Sequence, residues 1–297
     1  MTTIEMREVS KRYGTLRALD RATFSAPAGQ VTAFCGPNGA GKSTALRVLT
    51  GIIRADSGSA LVGGSPIEQL PEPARQVGVL LDASAFHPGR SVRETLRLGA
   101  LSIGVPKGRA DACLEIVGLE AAARRRVGKL SLGMRQRLGI AHALLGDPAV
   151  LVLDEPSNGL DPAGMRWLDD VLRRFADDGG SVLVSTHHLA AIEQIADRLV
   201  AVSKGRIVAE TAIADIPHTA RTTVSATDPK ALSDALDGAL IRYERRPDVL
   251  VADVDPAVVG ALALRRGLVL TRLAAEAPRI DDFLTSVTDA EFEGRRA

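Results

Sequence analysis

The 297-residue chain is short of most features that mark a membrane, secreted or nucleic-acid-binding protein. It has no run of about eighteen or more mainly apolar residues, so no segment is expected to cross a bilayer. It has only two cysteines, Cys35 and Cys113, both in apolar surroundings. That excludes a disulfide scaffold and predicts reduced core residues in a cytosolic protein. The start, MTTIEMREVSKRYG, brings acidic residues early and no apolar stretch, so no signal peptide is expected. Neither charge dominates: 37 basic and 36 acidic residues leave a net charge of +1. With no basic arm, no nucleic-acid partner is expected, and Arg124–Arg126 reads as a solvated helix face. Aromatics are scarce, with two tyrosines in all. What is left is length enough for one large domain and a small one.

Short apolar runs alternate with helical patterns as far as residue 210, which predicts an α/β sheet layered with helices. Thr3–Val9, Ala22–Ser25, Val31–Cys35 and Ser59–Val62 read as strands. From about Ala83 to Val127 the pattern is helical, with Arg-rich faces and no strand signal, as in a helical insertion. Val150–Leu153 and Val182–Ser185 read as buried parallel strands. Leu199–Val202 and Arg206–Ala209 form a hairpin around Lys204-Gly205. Polar residues near Ile216–Thr219 mark a linker. Beyond it, strands at Arg221–Ala226, Ala239–Tyr243, Val249–Asp253 and Leu268–Leu273 alternate with helices at Pro229–Leu236, Pro256–Arg265 and Pro278–Val287. The order βαββαβ plus a last helix predicts a small α+β, ferredoxin-like domain. The expected domains are 1–215, with a helical subdomain at about 83–135, and 216–297.

Residues Gly36, Pro37, Asn38, Gly39, Ala40, Gly41, Lys42, Ser43 and Thr44 spell GPNGAGKST, a phosphate-binding loop between a strand and a helix. Its glycines let successive N–H groups point at an anion, and the helix that follows adds a partial positive charge. Lys42 can reach the β- and γ-phosphates, and the Ser43 hydroxyl can ligate Mg²⁺. The loop predicts a nucleoside triphosphate as ligand. Val150–Glu155, VLVLDE, is an apolar strand ending in two carboxylates. Asp154 is placed to hold Mg²⁺ and Glu155 to polarise an attacking water. The competing reading is an ordinary acidic pair before the turn at Pro156.

Leu130–Met134, LSLGM, runs on through RQRLGIAHALLGDPAVLVLDEPSNGLDP. With the phosphate loop, this order of motifs resembles the ATP-binding subunit of ABC transporters, and the resemblance covers about Thr3 to Glu210. It implies a P-loop NTPase fold of ABC ATPase type, ATP and Mg²⁺ as cofactors, and hydrolysis of ATP. LSLGM stands where the family signature is usually LSGGQ, with Leu132 and Met134 as departures. Ser131 and Gly133 are kept, and in the family they cap the γ-phosphate of ATP held by the other protomer. Tyr13 stands where the family stacks an aromatic ring on adenine. Asn158–Asp161 matches the D-loop; Asp161 before Pro162 also reads as a helix N-cap. His187, ending SVLVSTH, matches the switch histidine that contacts the γ-phosphate, and His188 beside it is expected to point elsewhere. His87 reads as a loop residue without chemistry.

The Q-loop departs from the family pattern. Gly78–Asp82 reads GVLLD where G-Y-L-P-Q is typical, so Asp82 replaces a Mg²⁺-facing glutamine. Two unit charges about 4 Å apart repel by roughly 4 kcal/mol at an effective dielectric of about 20. Asp82 is therefore expected either to ligate Mg²⁺ directly, the preferred reading, or to turn toward the loop and the partner protein. The resemblance further implies a separate transmembrane permease docked on the helical insertion near Asp82–Thr95, and a homodimer or heterodimer of ATP-binding subunits. It also implies a cytoplasmic protein held peripherally at the membrane by that permease. The tail Ala277–Thr288 resembles segments common in multidrug and ABC-2-type exporters. The alternative is a soluble ABC-type ATPase or nucleotide-dependent regulator. One ATP domain, no heptad run, and intact Lys42, Asp154, Glu155 and His187 weigh against it.

Overall fold

The computed structural model describes residues 3–187, 194–216 and 221–276. His188, most of the expected linker, the expected helix Pro278–Val287 and the exporter-like tail lie outside the described residues. The chain divides into two compact units, one up to Asp215 and one from Ile216.

The first unit opens with a long hairpin, β1 (Ile4–Tyr13) and β2 (Leu16–Ala26). Both strands run further than expected: Tyr13 pairs with Leu16, so the Tyr13 region is the tip of a hairpin. With β4 (Ser57–Val62) they make an antiparallel sheet in the order β2-β1-β4. Between them in sequence come β3 (Val31–Cys35) and α1 (Lys42–Leu49). Next follow the short α2 (Pro73–Gln76) and β5 (Val77–Leu80). No strand is expected over the β5 segment from the sequence. It is a four-residue strand whose Gly78 is required because a Cβ there would stand 2.3 Å from the Ala143 carbonyl oxygen.

Helices α3 (Val92–Ser102), α4 (Gly108–Ile116) and α5 (Leu132–Ala143) form the helical subdomain. Ser91 starts α3 with a capping box: its hydroxyl accepts from the Glu94 N–H while Glu94 accepts from the Ser91 N–H. Then come β6 (Val150–Asp154), α6 (Pro162–Asp177), β7 (Ser181–Thr186), β8 (Arg198–Ser203) and β9 (Arg206–Ala212). The main sheet has the order β5-β6-β7-β3-β8-β9, parallel except for the antiparallel edge strand β9. Strands β3 and β7 are buried at every position, which is what a parallel sheet covered on both faces demands. Phe24 of β2 stacks on Phe34 of β3, ring centroids 5.0 Å apart, and joins the two sheets into one core. Val31–Cys35, Val150–Asp154 and Ser181–Thr186 end at the same carboxyl edge, where open parallel sheets bind ligands.

The second unit runs β10 (Arg221–Ala226), α7 (Pro229–Gly238), β11 (Tyr243–Arg245), β12 (Leu250–Ala252), α8 (Pro256–Arg266) and β13 (Leu270–Glu276). Its antiparallel sheet has the order β11-β12-β10-β13, and Val224, Leu232, Leu236, Leu250 and Val259 fill its core. The strand expected over Ala239–Tyr243 starts only at Tyr243. Residues before it close α7, with Leu240 in the left-handed region at φ 56°.

Candidate functional site

Sterics dictate the phosphate loop. A Cβ on Gly36 would stand 2.1 Å from the Val202 carbonyl oxygen, so the chain passes β8 only as glycine. Gly41 has φ 110° and would place a Cβ 2.5 Å from the Ala18 carbonyl oxygen. α1 begins directly after it with no side-chain cap, so its first N–H groups are left for an anion. Lys42 is buried and curls over the loop, its Nζ donating to the Gly36 carbonyl at 2.6 Å and reaching that of Pro37 at 3.3 Å.

A cavity of about 550 Å³ opens over this loop. Asn38, Gly39, Gly41–Thr44, Asp154 and Glu155 line it. Tyr13 lines it too, at the hairpin tip, with Lys11 Nζ 5.8 Å from its ring centroid. Gly36, Pro37 and Ala40 are not part of the wall; Ala40 is buried and its carbonyl accepts from the Gly205 N–H at 2.8 Å.

The carboxylates past β6 are held by β7. The Ser185 hydroxyl donates to Asp154 Oδ1 and accepts from the Glu155 N–H at 3.0 Å. Glu155 sits in the left-handed region at φ 47°, a strained position for a residue with a Cβ. Besides Ser185, the buried Gln136 holds it, donating to the Glu155 carbonyl at 3.3 Å. Glu155 Oε1 lies 2.8 Å from His187 Nδ1, whereas Oε2 is buried with no hydrogen-bond partner. A buried acceptor without a donor is costly, and a bound water or ligand would relieve it. The structure thus brings Lys42, Ser43, Asp154, Glu155 and His187 to one sheet edge. Ser185 was missed by sequence reasoning because it looks like one more small residue in a buried strand.

Ser131 and Gly133 are not in the wall of this cavity. Ser131 is the N-cap of α5, its hydroxyl accepting from the Met134 N–H at 3.2 Å. A Cβ on Gly133 would stand 2.7 Å from the Gly159 carbonyl oxygen, so the LSLGM turn lies against the NGLD turn. Asp161 caps α6, accepting from the Gly164 N–H at 2.7 Å. Asp82, expected at the metal, is exposed and outside the cavity wall. Its Oδ1 accepts from the Ser84 N–H at 2.7 Å and the Ser84 hydroxyl at 2.6 Å. Those bonds, the hydroxyl first, hold its carboxyl below its ordinary range, with Arg47 adding to the effect. His87 builds a loop as expected, accepting from the Gly89 N–H at 3.1 Å.

Among the described residues no three His, Cys, Asp or Glu side chains could hold a metal by themselves. One hydroxyl and one carboxylate beside a phosphate cradle is the donor set that suits Mg²⁺, which keeps waters and takes oxygens from a bound phosphate.

The ABC transporter family profile matches residues 19–158. The chain is 37% identical over 212 residues to a bacitracin transport ATP-binding protein of Bacillus licheniformis, covering 70% of this chain and 69% of that one. It is 34% identical to Nod factor export ATP-binding protein I of Burkholderia orbicola over 98% of both chains. A solved ATP-binding subunit of an ABC transporter superposes with a TM-score of 0.66 at 29% identity, covering 72% of this chain and 91% of that one.

Proposed function

Because the chain belongs to the ABC transporter family, as an ATP-binding subunit that hydrolyses ATP, we propose that it powers export through a separate membrane permease. The single observation that carries the site assignment is the half-buried Glu155 carboxylate, paired to His187 through one oxygen and with the other buried without a hydrogen-bond partner. Such a group is placed to take a proton from water attacking the γ-phosphate in line. Lys42 and the loop amides neutralise charge on the transferred phosphoryl group, and His187 holds Glu155 and the water in register. Ser43 and Asp154 would hold Mg²⁺, which would supply further charge neutralisation when bound. Tyr13 stacks on the base. Ser131 and Gly133 complete the site of a second protomer, so the working unit is a dimer that closes on ATP and parts after hydrolysis.

The names of the relatives support export, one for bacitracin transport and one for Nod factor export. No helix among the described residues is long and apolar enough to cross a membrane, so the transport path belongs to the permease. The helical subdomain offers the permease an exposed apolar strip, Leu98 and Leu101, flanked by Arg90 and Arg97.

The test is Glu155→Gln. ATPase turnover should fall at least about 100-fold, and ATP should then hold a dimer that elutes as such on size exclusion. Full turnover in that variant removes Glu155 as the base. Co-reconstitution with a membrane protein of about six spans encoded beside this chain should stimulate the wild-type rate; indifference to every such partner sinks the transport reading.

A further inference from the structure

The hairpin orders the cavity wall. Tyr13, suited to a base, pairs with Leu16, and two residues on Ala18 abuts Gly41 of the phosphate loop, its carbonyl oxygen 2.5 Å from where a Gly41 Cβ would stand. Arg17 therefore lines the wall between the Tyr13 tip and the loop, and Lys204, beside the Gly205 that abuts Ala18, lines it too. In the sequence Lys204 stands out only as half of a hairpin turn. It occupies the turn between β8 and β9 in the left-handed region, φ 47°.

Its neighbour Gly205 fixes that turn from two sides. The Gly205 N–H donates to Ala40 of the phosphate loop at 2.8 Å, and the Gly205 carbonyl accepts from the Asp20 N–H at 2.8 Å. A Cβ on Gly205 would stand 2.7 Å from the Ala18 carbonyl oxygen, so the turn lies directly on β2. Lys204 is therefore positioned against both the loop and the hairpin that carries Tyr13. Arg17 contributes a second cation. Its Nη1 lies 2.8 Å from Asp20 Oδ1, while Arg206 Nε donates to Asp20 Oδ2 at 2.7 Å. Two guanidinium groups share one carboxylate, which keeps this mouth of the cavity positive.

We propose that Lys204, with Arg17 beside it, is a nucleotide-binding residue that holds the ribose and α-phosphate segment of the bound nucleotide. The inference rests on the ATP-binding reading of the cavity. A nucleotide with its base at Tyr13 and its outer phosphates in the loop must lay its α-phosphate along this part of the wall. A flexible ammonium there makes a charge-assisted contact to phosphate oxygen. ADP and ATP share that phosphate, so Lys204 sets the affinity for both alike. Lys42, in the phosphate loop, favours the nucleotide with the longer phosphate chain. Lys204 is exposed, so its contribution is screened by salt.

The experiment is titration of the full chain with fluorescent N-methylanthraniloyl ADP and ATP. Lys204→Asn removes the charge while suiting the left-handed turn, and Lys204→Arg restores the charge. The Asn variant should bind both nucleotides about 5- to 20-fold more weakly. KM for ATP should rise in the same proportion, with the saturated rate shifting less than about twofold. Affinity should fall less steeply with salt than in wild type, and the Arg variant should return to within about threefold of wild type. Wild-type binding of both nucleotides in the Asn variant overturns the proposal. So does weakening confined to ATP, which would put the side chain at the γ-phosphate. A wild-type chain that binds neither nucleotide is a different failure, that of the ATP reading itself.

Discussion

Leu80 on β5 and Leu153 on β6 pair in register, so Asp82 and Glu155 stand at matching positions just past the ends of adjacent parallel strands. Both are carboxylates, both leave the same sheet edge, and their surroundings are opposite. Glu155 is held at φ 47° by Ser185 and Gln136, with one carboxylate oxygen buried and unpartnered. Asp82 is exposed and spends one oxygen on the N–H and hydroxyl of a residue two positions on. A strained, under-satisfied carboxylate is kept ready for a ligand by the fold around it. A carboxylate that satisfies itself locally builds a turn. The register of the sheet supplies two equivalent positions, and the neighbouring strand decides which one keeps an oxygen buried and unpartnered.

If β7 makes that difference, Ser185→Ala should erase much of it. The substitution removes the hydroxyl that accepts from the Glu155 N–H and donates to Asp154, leaving the Ser185 carbonyl, 3.2 Å from the Glu155 nitrogen, and every cavity-lining side chain in place. Support of this kind is typically worth about 10- to 100-fold. Steady-state ATPase should lose roughly 10- to 30-fold in kcat with little change in KM. An unchanged kcat would mean that the Ser185 carbonyl and Gln136 hold Glu155 without the hydroxyl.

A third carboxylate sharpens the contrast through pH. Asp169 of α6 borders a small cleft shared with Ser157, Val184 and Thr186, just behind the Glu155 turn. Burial, and then the charge of Asp170, push its carboxyl up from 3.8 to about 6. An acid whose pKa is raised on folding keeps its proton longer in the folded chain. It therefore costs nothing well below 3.8, and the cost grows as pH rises from there to about 6. Asp169→Asn should then raise stability at pH 8 by about 1 kcal/mol, after discounting for partial exposure. It should change little at pH 3.5, as read by urea unfolding at the two pH values. An equal gain at both would assign the effect to packing.

The same contrast explains what was legible beforehand. The phosphate loop and the Asp161-Pro162 helix start are local devices, in which a few adjacent residues carry the whole geometry. They can be read without the fold. β5 could not, because four residues carry too little periodicity and the need for Gly78 comes from Ala143, far along the chain. The displaced start of β11 has the opposite cause: Ala239–Tyr243 looks apolar enough for a strand, yet Leu240 is 92% exposed in a helix-ending turn. Ser185 escaped because its partners lie on another strand. The orientation of Asp82 was within reach, since Asp-x-Ser is a local turn pattern. The metal reading came from the Q-loop resemblance and from repulsion by phosphate, neither of which weighs a hydroxyl two residues on.

The smallest expected effect is therefore at Asp82, and it is the most direct challenge to the contrast. Asp82→Asn keeps an oxygen for Ser84 and should be silent. Asp82→Ala loses the turn bonds and should cost about 0.5 kcal/mol, the scale of an exposed hydrogen-bonded turn. Because Ser84 and Arg47 hold the Asp82 pKa below its ordinary 3.8, this stabilisation is present at neutral pH. It is lost as pH falls below that value, so wild type and the Ala variant should converge in acid. A carboxylate engaged in its own turn has no call on the metal, so the Mg²⁺ concentration for half-maximal ATPase should stay within about twofold in both variants. A larger shift shared by Asn and Ala would place Asp82 at the metal after all. The two strand-end carboxylates would then be partners in one site, and the Ser84 bonds would be the resting position of a ligand that swings in when nucleotide binds.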